Sequence, residues 1–75
     1  MTAGFVHTLN VEGRWQNEIE GDSERGLDTY ETKDAAVAAG RAEAQRRGTE
    51  HLIHRADGPI ENRNSYGNDP VHRPG

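Results

Sequence analysis

Four histidines are the residues of this sequence most able to bind a metal or exchange a proton near neutral pH: His7, His51, His54 and His72. His51 and His54 lie three apart on a predicted strand, so their side chains point to opposite faces of it. They cannot hold one ion together without a bulge. Half-buried, hydrogen-bonded strand histidines are the alternative. We therefore predict no metal site and no cofactor.

The pair His54 and Asp57 combines an imidazole with a carboxylate, as general acid–base catalysis does. Asp57, however, stands in the turn "ADG", where aspartate is favoured for its local hydrogen bonds. No Ser/His/Asp, Cys/His or paired-carboxylate arrangement accompanies the pair, and the nine glycines form no phosphate-binding motif. The sequence therefore predicts no catalytic residue, and we expect the protein not to be an enzyme.

The composition describes a small acidic protein with a thin core. Its 75 residues include 13 Asp and Glu against 9 Lys and Arg, and no cysteine, which excludes disulfides and thiolate metal sites. Leu, Ile, Val and Phe supply only 11 residues, below the ~20% level at which disorder competes with folding. No signal peptide or long apolar segment is visible, so we expect a cytoplasmic protein with no membrane contact.

The pattern of apolar residues predicts five strands and one helix. Residues 5–9 and 15–19 alternate around "VEG" as a hairpin, "LDTYET" favours a short third strand, and "EHLIHR" and "PIENRNSY" flank "ADG" as a second hairpin. Pro59 lacks a backbone donor, which indicates an edge or a bulge. A helix is predicted over residues 33–47, with Thr32 as N-cap and Gly48 as the C-terminal glycine.

The predicted helix has two stripes of small residues. One stripe should face the sheet, and Gly40 in it allows a close approach; its members are Ala36, Val37, Gly40 and Ala44. The second stripe is either an exposed face built from the best helix former or a packing surface for a second copy of the chain; its members are Ala35, Ala38, Ala39 and Ala42.

These elements predict an α+β fold: a small antiparallel sheet, with elements in the order β-β-β-α-β-β, and one helix packed on one face. Residues 1–67 form a single domain and residues 68–75 an irregular tail. Leu52 and Ile53 are adjacent, so both sheet faces are apolar there. Because the helix covers only one face, the tail, a second subunit or a ligand must cover the other, unless a small patch stays exposed.

The ordered segments "GRWQNEIEG", "TKDAAVAAGRAEA", "EHLIHRADGPI" and "RNSYGNDP" resemble the family known as domain of unknown function 2188. The resemblance runs from about Val6 to Pro70. It implies a free-standing small bacterial or phage-type protein and adds no catalytic residue, cofactor or substrate. Two departures are an unusually acidic loop, "DSERGLDTYE", and Val71-His72 in a tail that is richer in proline in the family. The first argues against anion binding by that loop.

We expect a non-catalytic interaction module that binds a protein partner or itself, most simply as a homodimer, because so thin a core gains from self-association. The "RNSYGNDP" segment and one hairpin residue supply the candidate contacts: Asn17, Arg63, Asn64, Tyr66, Asn68 and Asp69. Alternatively, Tyr66 closes over the sheet and the segment merely ends the domain.

Nucleic-acid binding is the second hypothesis. Five arginines near the helix and second hairpin would form its basic surface: Arg41, Arg46, Arg47, Arg55 and Arg63. Trp15 and Tyr66 would stack on bases. The net charge of −4 disfavours this function, because acidic proteins bind phosphates weakly at physiological salt.

Overall fold

The computed structural model describes residues 4–21 and 29–67. Within these ranges the chain forms β1 (Val6–Val11), β2 (Arg14–Ile19), β3 (Thr29–Tyr30), α1 (Lys33–Arg47), β4 (Glu50–His54) and β5 (Ile60–Ser65). The strands make one sheet in the order β3-β2-β1-β4-β5, and α1 packs on one face. The predicted α+β fold and its order of elements are confirmed. The predicted irregular tail at 68–75 lies outside the described residues.

The sheet is mixed and differs in one ladder from the antiparallel sheet that the sequence predicts. β1 pairs with β4 in parallel, whereas the other three ladders are antiparallel. The reason is the crossover: β3 runs in the direction of β1, and α1 then carries the chain back along the sheet before β4 begins. A strand that follows such a return starts in the same direction as β1.

The first hairpin closes through the two residues Glu12 and Gly13. Both have positive φ angles, 52° and 86°, as in the I′ turn that suits the twist of paired strands. The side-chain oxygen of Asn10 accepts the Gly13 N–H at 3.0 Å. The hairpin predicted around "VEG" is confirmed.

Both ends of α1 carry the predicted caps. Thr32 is extended, with φ −123° and ψ 153°, and its hydroxyl accepts the Ala35 N–H at 3.2 Å. Gly48 adopts the left-handed conformation, φ 66° and ψ 43°, and its N–H turns back to the carbonyls of Ala44 and Gln45. These two local signals set the observed helix bounds.

The small-residue stripe of α1 faces the sheet as predicted. Ala36, Gly40 and Ala44 are buried, and Val37 is half-buried. The second stripe is largely exposed: Ala35, Ala38 and Ala42 are exposed and Ala39 is half-buried.

A polar cluster lies beneath Gly40, where the helix crosses the middle of the sheet. The Thr8 hydroxyl donates to Asn17 Oδ1 and accepts from His51 Nε2 at 2.7 Å. Asn17 in turn donates from Nδ2 to the Ala36 carbonyl at 3.0 Å, which ties β2 to the helix backbone. Thr8 and His51 are both fully buried. The centre of this core is therefore hydrogen-bonded rather than apolar.

The apolar core lies on both sheet faces. Val6 and Ile53 are buried on the helix side. Leu52, on the other side, is only 5% exposed. The chain therefore buries Leu52 without a second subunit, and this residue does not form the exposed patch that the sequence left open.

Replacing Gly40 with alanine should destabilise the protein. The added Cβ would lie 2.6 Å from His51 Nε2 and 2.7 Å from both Asn17 Oδ1 and Thr8 Oγ1. Overpacking of this kind outweighs the ~1 kcal/mol gain in helix propensity, so we expect unfolding free energy to fall by about 1–2 kcal/mol. Urea denaturation measures the change. Gly67→Ala is the control, because its Cβ would meet only the Gly48 carbonyl oxygen at 3.8 Å; equal effects of both substitutions would contradict the close-approach argument.

Stability should fall in mild acid because of His51. Burial, chiefly, and then the charges of Arg41 and His7 lower its pKa from the ordinary value of 6.5. The unfolded chain therefore takes up a proton at this position before the folded chain does. The contribution is fully present above pH 6.5 and is lost progressively as pH falls below it.

The urea midpoint followed from neutral to mildly acidic pH tests this prediction. His51→Gln keeps an N–H donor for Thr8 but has no titrating group, so its midpoint should depend less on pH than that of the wild type. Parallel curves for the two proteins would show that His51 does not titrate differently on folding.

Candidate functional site

β5 carries two of the six predicted contact residues. Arg63 and Asn64 are exposed neighbours on it and point to opposite faces of the sheet, Arg63 opposite Leu52 and Asn64 opposite His51. Tyr66 follows the strand and is half-buried. The predicted contacts Asn68 and Asp69 lie outside the described residues.

Asn17 is not part of this group. It lies on β2, which β1 and β4 separate from β5, and its amide bonds to Thr8 and to the Ala36 carbonyl. The structure therefore places Asn17 in the helix–sheet contact. A half-buried asparagine at the centre of a strand resembles a surface residue in sequence, because its partners are distant in the chain.

The helix arginines are engaged with their own chain. Arg46 and Arg47 both bind Glu43, from which they are three and four residues away. Arg46 donates two hydrogen bonds to the Glu43 carboxylate and Arg47 donates one. Hydrogen bonds from Arg47 and then Arg46 lower the pKa of the Glu43 carboxyl. These two charges are partly neutralised at the helix end.

The remaining predicted phosphate contacts are dispersed. Arg55 pairs with Asp57 at 3.2 Å in the turn after β4, and Arg63 pairs with Glu50 at 3.0 Å. Arg41 is exposed in the middle of the helix. Because α1 ends where β4 begins, Arg47 and Arg55 lie at opposite ends of the sheet. The structure does not bring the five arginines into one basic patch.

Trp15 is half-buried on the helix side of β2. The Lys33 ammonium lies 5.5 Å from its ring centroid and 2.6 Å from Glu61 Oε1. Lys33 therefore connects the start of the helix to β2 and β5 at once, and it covers one face of the indole.

β5 is an edge strand, as Pro59 predicts. All six of its residues are exposed, and Ile60 is 52% exposed. Its register with β4 shifts between Ile53 and His54, which are opposite Asn62 and Ile60. The extra residue, Glu61, forms the bulge. From Asn62 to Ser65 the ladder with β4 is regular.

The backbone of β5 presents unpaired groups at this edge. The Tyr66 N–H donates to the Thr49 carbonyl at 3.1 Å, so Tyr66 turns its backbone towards β4. Antiparallel ladders alternate between bonded and non-bonded pairs. Asn64 and Asn62 therefore also turn inwards, and the N–H and C=O groups of Arg63 and Ser65 point outwards.

The sheet face away from the helix holds a shallow cavity of about 230 Å³. Its lining residues are His7, Leu9, Glu18, Ile19, Glu20 and His54. His7 Nδ1 lies 2.9 Å from His54 Nε2, and His7 Nε2 lies 2.6 Å from Glu20 Oε2. His54 also donates from Nδ1 to the Gly58 carbonyl at 2.8 Å.

This histidine pair was missed in the sequence because its members belong to β1 and β4, and only the parallel ladder makes those strands neighbours. The predicted separation of His51 and His54 onto opposite faces is confirmed: His51 is buried under the helix and His54 lines the cavity. Both make side-chain hydrogen bonds, His51 with Thr8 and His54 with His7; His51 is fully buried, whereas the sequence led us to expect half-buried histidines.

Two further observations concern residues 4–21 and 29–67. Their histidine, aspartate and glutamate side chains include no group of three arranged to hold a metal ion. The helix they contain is too short and too polar to cross a bilayer.

Comparison with known proteins gives one match. Residues 6–66 match the family model of DUF2188, described as an uncharacterized protein conserved in bacteria. Neither the curated proteins nor the solved structures contain a significant match. The matched segment begins with β1 and extends one residue beyond β5, so it includes every strand and the helix described above. The chain belongs to the DUF2188 family of bacterial proteins.

Proposed function

We propose that this protein is a small non-catalytic interaction module that associates with a second copy of itself along β5. The observation that carries the proposal is the edge strand: six consecutive exposed residues, among which Arg63 and Ser65 turn their backbone donors and acceptors outwards. Strand addition at such an edge supplies affinity through main-chain hydrogen bonds.

The outward groups favour one register for two antiparallel copies. A two-fold axis beside Asn64 sets Arg63 of one copy opposite Ser65 of the other, so that their outward N–H and C=O groups exchange four hydrogen bonds. An axis beside Arg63 would oppose two like charges, which is unfavourable. An axis beside Asn62 would require Glu61 to pair across the interface, and the strand is irregular at Glu61 because of the bulge.

The charges of β5 do not oppose this pairing. Glu61 is held by Lys33 at 2.6 Å and Arg63 by Glu50 at 3.0 Å, both within the chain. Arg63, already paired in this way, is the only charged residue adjacent to the proposed axis, and Asn64 and Ser65 are neutral. The usual protection of an edge by an unpaired charge is thus weak here.

The alternative surfaces support association less well. The opposite edge, β3, is only two residues long, and a short edge offers few hydrogen bonds. The exposed alanine stripe of α1 offers small side chains with little apolar area to bury. The five arginines proposed for nucleic acid do not share one surface.

Sedimentation velocity over a concentration series from micromolar upwards should show a monomer–dimer equilibrium. Ser65→Pro removes one outward N–H and leaves the bonds to β4 in place, since proline is tolerated on edge strands. We expect this variant to be folded by circular dichroism. Its dimer dissociation constant should be at least tenfold higher than that of the wild type, which corresponds to a loss of about 1.4 kcal/mol of binding free energy per interface.

Ala42→Lys on the exposed helix stripe is the matched control and should leave the equilibrium unchanged. A wild-type protein that stays monomeric throughout the series would refute self-association. If Ala42→Lys weakens the dimer and Ser65→Pro does not, the interface lies on the helix and the proposal for β5 is wrong. Binding to a short duplex that weakens steeply with salt would replace the proposal with the nucleic-acid hypothesis.

A further inference from the structure

The cavity on the open sheet face contains an unbroken chain of three hydrogen bonds. It runs from the Gly58 carbonyl to His54 Nδ1, from His54 Nε2 to His7 Nδ1, and from His7 Nε2 to Glu20 Oε2. The three distances are 2.8, 2.9 and 2.6 Å. All four ring nitrogens are used.

Both ends of this chain are acceptors, and this fact sets the number of protons. A carbonyl and a carboxylate can only accept, so each of the three contacts needs its hydrogen from an imidazole nitrogen. Two neutral imidazoles bring two hydrogens, one too few. We propose that His7 and His54 form a binding site for a single extra proton, which they share at neutral pH as a pair of net charge +1.

The three hydrogen bonds cannot all form if the histidine pair carries one proton fewer or one proton more. Without the extra proton, one contact sets a lone pair against a lone pair. With a second extra proton, two N–H groups face each other across the 2.9 Å gap between His7 and His54. The contacts joining the Gly58 turn, β4, β1 and the end of β2 are therefore complete only while one additional proton is bound.

The charged groups around the pair are compatible with one positive charge. From β2, Glu18 lies opposite His7 in the ladder and Glu20 bonds to it. From β5, Arg63 on the same face is held by Glu50 of β4. On the other face, His51 lies behind this layer. Two carboxylates favour the first extra proton, and the charge already bound opposes a second.

Nuclear magnetic resonance of protein labelled with ¹⁵N in histidine counts the protons directly, because ring-nitrogen shifts distinguish protonated from bare nitrogens. In the wild type at pH 7 we expect three protons over the four nitrogens of His7 and His54. Glu20→Gln should release one of them, since its amide donates to His7 Nε2 and completes the chain with two neutral rings.

Glu18→Gln is the control, because it removes the same charge beside His7 but no bond in the chain. The third proton should remain in this variant. Two neutral rings in the wild type at pH 7 would overturn the proposal. Equal loss of the proton in Glu18→Gln and Glu20→Gln would also overturn it, because general electrostatics and not the hydrogen-bond chain would then hold the charge.

Discussion

The close contact between Gly40 and the polar cluster beneath it is the constraint on which the fold depends. Three side-chain atoms, from Thr8, Asn17 and His51, lie within 2.7 Å of the position that a Cβ on Gly40 would take. The helix can therefore rest near enough to the sheet for Asn17 to bond the Ala36 carbonyl. A core with few large apolar residues gains its close packing and its single helix position from this arrangement.

The parts of the fold that local chemistry determines could be predicted from the sequence. Thr32 and Gly48 mark the helix ends because caps act over three or four residues, and Pro59 marks an edge because it lacks a donor. The parallel ladder could not be predicted in this way, because no local signal shows that β4 will lie beside β1. The histidine pair and the burial of Asn17 both follow from that ladder or from the helix above it.

The two sides of the sheet have different chemistry. On the helix side, hydrogen bonds beneath Gly40 join the helix to the sheet, and Lys33 contacts both the Trp15 ring and the Glu61 carboxylate. The other side keeps a cavity whose polar lining is drawn from three strands and the turn at β2's end. Two arginines of the predicted set are engaged within the helix for a reason visible in the sequence: Glu43 precedes Arg46 and Arg47 by three and four residues, the spacing of ion pairs on one helix.

The parallel ladder also affects how the protein acquires its structure during translation. β1 lies in the middle of the sheet but leaves the ribosome before the other described elements, and its partner β4 is made only after the entire helix. A nascent chain can form the β1–β2 hairpin early, since that pairing is local, yet one edge of β1 stays open until β4 emerges. Cooperative folding must therefore wait until nearly all of the described segment has been synthesised.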